Sequence, residues 1–274
     1  MSKRLPHLLL TALLLTVGWA MVAHRLRSAA PARHPLKHPG FALSFDDRSV
    51  EEWYGLRPIF LRYHGKATFY VTQPDSLKPE EIDQLRQLQL DGNEIGSHGL
   101  MHLHANSYAM IHPAKVYMEE EIHPSVKKLE DFGFQIDTFA YPYGANNHWV
   151  DRKLEEHFVL MRDIYALRRS FFGIPLNRSI TDLDAIYCGP ESRKRVEALS
   201  IDHESRITKE ELTQALKRAR ARGEIVLFYG HRPITAGEPA GANTVDVALI
   251  EHLYKTAREL GLRSYTMEEV ARRK

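Results

Sequence analysis

From residue 40 onwards short apolar runs alternate with helical patterns, and this alternation constrains the fold more than any other feature of the chain. Two strands joined through a helix run parallel, and their helices cover the sheet faces. The runs Phe41–Phe45, Ala67–Val71, Glu94–Ser97, Thr138–Tyr141, Phe158–Arg162, Ala198–Ile201, Ile225–Tyr229 and Arg263–Tyr265 read as strands. Between them the helices have legible ends. Thr208 and Glu211 form a capping box, Leu212, Ala215, Leu216 and Ala219 give an apolar stripe, and Gly223 stops the helix. A second helix is predicted over 244–261, with Ile250, Leu253, Ala257 and Leu260 on one face. Pro124 is expected to kink or restart the helical stretch 113–132. Seven or eight such units in about 235 residues fit a complete or distorted β/α barrel, since barrels of this kind take about 250 residues. An open doubly wound sheet is the alternative.

The region before this pattern differs in composition. Residues 1–38 hold six of the 37 basic residues and no acidic one, so the formal charge of +2 conceals a body with 31 basic against 35 acidic residues. A mildly acidic body lacks the electrostatic footprint of a nucleic-acid binder. The basic start (Lys3, Arg4), the apolar run 8–23 and the polar, Pro- and His-rich stretch after it read as an export signal or membrane anchor followed by a linker. This sixteen-residue run falls short of the about 20 that span a bilayer. Residues 1–38 are therefore assigned to export and 39–274 to a single domain outside the cytoplasm, periplasmic, extracellular or membrane-anchored, touching membrane only through the N-terminal segment. The single cysteine, Cys188, excludes an intramolecular disulfide. No protein partner is evident.

In either architecture the chemistry sits where strands end. The strand ends carry Asp46 and Asp47, His98, Pro142 and Tyr143, Asp202, and His231. Each alone has a plain structural explanation, an Asp as a helix N-cap or a His as a hydrogen-bonded core residue. Together they crowd one rim. In HGLMH, His98 and His102 are spaced i,i+4, which on a helical turn puts two imidazoles on one side and suits a transition ion. His104 offers an H-x-H alternative with His102. One of the paired carboxylates Asp46 and Asp47 can supply the third ligand and leave the other to handle protons.

SFDD (44–47), HGLMH (98–102), YPYG (141–144) and the late His231 resemble the successive motifs of the polysaccharide deacetylases, the NodB-homology domains of carbohydrate esterase family 4. The order and spacing of these motifs match over residues 40–270. The resemblance implies a distorted β/α barrel. It also implies Asp47, His98 and His102 as ligands of a divalent metal, zinc or else cobalt or nickel; Asp46 as general base; His231 as general acid; and the backbone N–H of Tyr143 as an oxyanion donor. Asp202 resembles the carboxylate that tunes the acid His, with a helix cap as its alternative. The implied substrate is an N-acetylated amino-sugar polymer or oligomer. An O-acetyl esterase, a deformylase or amidase on a smaller molecule, and a non-catalytic saccharide-binding module are the alternatives.

The chain departs from the family pattern at several positions. Ala140 stands where the family has the Arg that clamps the catalytic Asp; Arg162 is a candidate substitute, with a surface ion pair as its plain reading. Gly99 replaces a usual Ser or Thr, and Arg48 a frequent Gly. Phe228 replaces a Leu that lines the acyl pocket and is expected to narrow it. Trp53 and Trp149 are assigned to core packing, with sugar stacking as the alternative.

Overall fold

The computed structural model describes residues 38–167, 179–189 and 194–273, with the backbone of 170–171 and 174–175. The export segment assigned to residues 1–38 lies outside them, apart from His38. Among the described residues no helix is long and apolar enough to cross a membrane.

Seven parallel strands close into a barrel: β1 (Gly40–Asp47), β2 (Thr68–Val71), β3 (Glu94–Ser97), β4 (Thr138–Ala140), β5 (Leu160–Tyr165), β6 (Arg195–Ser200) and β7 (Ile225–Gly230). They pair in chain order, and β7 closes on β1 in register from Gly40↔Ile225 to Phe45↔Gly230. This closure excludes the open doubly wound sheet. An eighth strand, β8 (Arg263–Tyr265), pairs parallel with Gly40–Ala42 of β1. On the same edge β2 pairs with Ser44–Asp47. The first strand therefore shares one edge between two partners, and this distorts the barrel.

Period-two alternation along the strands separates two cores. Phe41, Leu43 and Phe45 of β1, Phe69 and Val71 of β2 and Phe228 of β7 face the surrounding helices. Ala42, Tyr70, Ala140, Leu160, Ala198, Leu227 and Tyr229 fill the interior of the barrel. Phe228 thus faces away from the barrel interior, and the expectation that it narrows an acyl pocket does not hold. The pleat hands the inward positions to Leu227 and Tyr229. Gly96 of β3 lets the Tyr70 ring lie flat across the interior, because a Cβ there would meet that ring at 2.5 Å. Below it the C-terminal helix Met267–Arg272 closes the floor, contributing Met267 and Val270 to the interior cluster.

The helix Lys209–Arg222 has the capping box of Thr208 and Glu211 and ends at Gly223 in the left-handed conformation. The last long helix starts later than expected, at Val247, because Thr244–Asp246 is extended and pairs with Arg232–Ile234. Pro124 acts as anticipated: a π-helical turn over Met118–Ile122 precedes a new helix, His123–Asp131.

Candidate active site

The barrel brings the C-terminal ends of its strands to one rim, and the expected residues converge there. Asp47 ends β1, and His98 follows β3. One ligand atom from each of Asp47, His98 and His102 falls within 4.8 Å of the others. The separations are 3.2 Å between the two Nε2 atoms, 3.4 Å from His102 Nε2 to Asp47 Oδ1 and 3.8 Å from His98 Nε2 to Asp47 Oδ1. Tetrahedral ligands about 2.0–2.1 Å from a zinc ion stand roughly 3.3–3.4 Å apart, so the trio fits such an ion. The His98 Nδ1–H donates to the carbonyl of Ala140 at 2.8 Å, which fixes the tautomer and leaves Nε2 for the ion. Burial, the dominant influence on both rings, pulls the pKa of His98 and of His102 below the ordinary value, keeping them neutral as ligands must be.

The two histidines are not on a helical turn. Residues 98–102 form an irregular loop, with Gly99 at φ 82° and His102 at φ 60°. Asp47 and Tyr143 also have positive φ, 81° and 59°. Such conformations cost of order 1–3 kcal/mol each and persist only where the surroundings over-determine them.

Asp46 is buried inside the barrel mouth, and Arg162 Nη2 donates to both of its oxygens. Arg162 is fully buried, so the surface ion pair expected for it is overturned. Its guanidinium lies 4.6 Å from the Tyr229 ring centre and 5.5 Å from that of Tyr70. Register explains the replacement: Arg162 on β5 pairs with Ala140 on β4, so the guanidinium reaches Asp46 from the neighbouring strand while Ala140 leaves room. Burial alone would raise the Asp46 pKa, but the charges of Arg162, His98 and His231 overcome it and hold the carboxyl below its usual range.

His231 follows β7 and is gripped by Asp202. The pair is joined through His231 Nδ1 and Asp202 Oδ2 at 2.7 Å, and the His231 backbone N–H donates to Asp202 Oδ1 at 3.0 Å. Ser200 Oγ donates to the same carboxylate at 3.1 Å. Asp202 precedes the short 3₁₀ turn His203–Ser205, yet its side chain caps nothing there; both oxygens are committed to His231. Burial works against a charged imidazole, but the Asp202 hydrogen bond and the charges of Asp46, Asp202 and Asp47 raise the His231 pKa to about 9. At neutral pH the rim therefore holds an ionised carboxylate and a protonated imidazole, the pairing that general base and general acid require.

Tyr143 lies in the Pro142–Gly144 turn. Its ring packs edge-on against His102 at 4.5 Å and stacks on His104 at 5.8 Å, so the turn borders the metal trio. His104 Nδ1 accepts the N–H of Ser107 and caps the helix Ala105–Ala109, which leaves it outside the trio. Two further side chains support the rim through contacts that the sequence does not signal. Trp53 is a core residue, as expected, and its indole N–H also donates to the His231 carbonyl at 2.9 Å. Glu121 is fully buried behind the metal loop. Neither has a local sequence signal, because each contact spans a long stretch of chain. Trp149 is 66% exposed rather than in the core.

The profile of the polysaccharide deacetylase family matches residues 33–159, which include the paired Asp, HGLMH and YPYG. Over that span, just under half of its length, the chain is similar to the polysaccharide deacetylases. Its fold is similar to that of solved deacetylases. A peptidoglycan deacetylase from Bacillus subtilis is 14% identical, with TM-score 0.52 over 85% of this chain and 90% of that one. The chitin deacetylase of Colletotrichum lindemuthianum is 17% identical, with TM-score 0.54 over 89% and 94%. A mutant of a family 4 pseudoenzyme with restored activity is 14% identical, with TM-score 0.53 over 90% and 73%. None of the curated protein sequences matches the chain. At these identities the structural likeness concerns the fold, and the chemistry has to be argued from the rim.

Proposed function

We propose that this chain is a polysaccharide deacetylase that removes N-acetyl groups from an amino-sugar polysaccharide or oligosaccharide, with a divalent metal held by Asp47, His98 and His102. The observation that carries this reading is the joint placement of Asp46 and His231, one hydrogen-bonded by Arg162 and the other by Asp202, on the rim that bears the ligand trio. Since one similar fold belongs to a pseudoenzyme mutant, the fold does not guarantee turnover. A binding module needs neither an ionised base nor a charged acid, and their pairing here favours catalysis.

A metal bound to the trio supplies Lewis acidity toward the acyl carbonyl and the attacking water. Asp46 takes a proton from that water, and its bond to Arg162 keeps it ionised and aimed. The backbone N–H of Tyr143 stabilises the negative oxygen that develops on the acyl group. His231 delivers its proton to the departing amine nitrogen, while Asp202 orients the ring. Two His and one carboxylate suit zinc, and cobalt or nickel accept the same ligands. We further assign residues 1–38 to export or anchoring and 39–274 to one deacetylase domain outside the cytoplasm; cell fractionation with N-terminal sequencing tests this, and a cytoplasmic protein starting at Met1 would refute it.

The decisive experiment is acetate release from N-acetylglucosamine oligomers, peptidoglycan and acetylated xylan, with and without chelator. Release from an amino-sugar substrate, abolished by chelator and restored by zinc, is expected. Release from xylan alone would make the chain an O-acetyl esterase, and release from none with zinc bound would overturn the reading.

A further inference from the structure

The loop that carries the two histidines has no regular structure to hold it, and the amides around His102 are held by one buried acid. Glu121 is fully buried, 19 residues beyond His102. Its Oε2 accepts the N–H of Met101 at 2.8 Å and its Oε1 that of Leu103 at 2.9 Å, the residues on either side of the ligand His102. Its own backbone carbonyl accepts the N–H of Leu100 at 3.1 Å. One residue thus engages three amides of a four-residue stretch. Two features of the chain put it there. Pro124 has no N–H to offer the carbonyl four residues back, and the helix widens into the π turn Met118–Ile122, from which Glu121 projects. Gly99 leaves the space its carboxylate fills: a Cβ there would lie 2.1 Å from Glu121 Oε1.

We infer that Glu121 is a positioning residue for the metal centre, a carboxylate that touches no ligand side chain but sets the left-handed conformation of His102 by accepting the amides that flank it. Gly99 is the space reserved for that carboxylate. The alternative, that Glu121 merely fills a cavity, is poorly compatible with its chemistry. An acid buried without hydrogen bonds is costly, and both of its oxygens here are used on the loop. This inference rests on the metal-site reading proposed above, and its test separates the two.

The test uses the full chain, prepared free of zinc and then titrated. Glu121→Gln has the same shape but one oxygen, so an NH₂ group faces a backbone N–H that previously had an acceptor. Zinc affinity is expected to fall by about 10–100-fold, the usual loss when a group supporting a metal ligand is removed, while kcat recovers at saturating zinc. In the zinc-free protein the Met101 and Leu103 amides should exchange faster than in wild type. Gly99→Ala leaves Glu121 in place and displaces its carboxylate, and should lower zinc affinity in the same direction; it serves also if Glu121→Gln fails to fold. Wild-type zinc affinity and amide protection in either folded variant would overturn the inference. Loop protection that depends on Glu121 in a wild-type protein that binds no zinc would instead sink the metal reading and leave the anchor standing.

Discussion

At the scale of single residues, the two neighbouring carboxylates do different work because the strand pleat sends them to different places. Asp46 turns into the barrel mouth and meets Arg162, whereas Asp47, at φ 81°, turns toward the histidines. Asp47→Asn should therefore lose metal and activity together. Asp46→Asn should keep its metal and lose about 10²–10⁴ of turnover, as a missing general base does; metal analysis beside kcat distinguishes the two, and the opposite pattern would reverse their roles. Replacing Arg162 by Met leaves Asp46 buried without its cation. Removal of one partner from a buried pair costs about 3–5 kcal/mol, and denaturant unfolding should register a loss of that order. Because the Arg162 charge lowers the Asp46 pKa, its removal raises it, and the acidic limb of the pH profile of kcat/KM should move to higher pH. In the proposed mechanism the basic limb belongs to His231, whose pKa, despite burial, is raised to about 9 by Asp202 and the neighbouring carboxylates. Asp202→Asn keeps a hydrogen-bond partner but removes a negative charge that favours imidazolium, so this limb should shift to lower pH, toward the ordinary histidine value. An unmoved limb would detach Asp202 from the acid.

At the scale of elements, local signals served well where an element is decided by its own residues. The strands over 94–97 and 263–265 have the expected bounds, and the helix beginning after Thr208 has its capping box and its terminal Gly223. Thr208→Ala should cost about 1 kcal/mol and lower the melting temperature by about 2–4 °C without changing kcat/KM, since the cap lies outside the rim; a drop in kcat/KM would count against this separation of helix end and site. Local signals failed where a distant element decides. The spacing of His98 and His102 suits a helix, but Gly99, at φ 82°, breaks it and Glu121 supplies the amide acceptors from another helix. Residues 244–246 continue an amphipathic pattern, yet pairing with Arg232–Ile234 draws them into a strand. Trp149, expected in the core, is turned to solvent on the helix His148–Leu154.

At the scale of the whole molecule, an ion held as proposed by Asp47, His98 and His102 would tie β1 to the loop after β3 and so stabilise the closed barrel as well as the rim. A ligand at 1,000 times its dissociation constant adds about 4 kcal/mol to the folded state. Chelator should lower the melting temperature of the wild-type protein and leave that of Asp47→Asn nearly unchanged; equal shifts in both would place the stabilising ion elsewhere. The alternation of parallel strands with helices, the strand-end positions of Asp46, Asp47, His98, Asp202 and His231, and the helix caps were determined by sequence alone, because period-two and period-3.6 patterns and capping chemistry are local properties of the chain. Only the tertiary structure decided that the sheet closes, that Arg162 on the neighbouring strand reaches Asp46 past Ala140, that Phe228 faces the helices, and that Glu121 accepts the amides flanking His102. Each of these depends on strand register or on packing between segments far apart in the chain, and neither is written in any short window of residues.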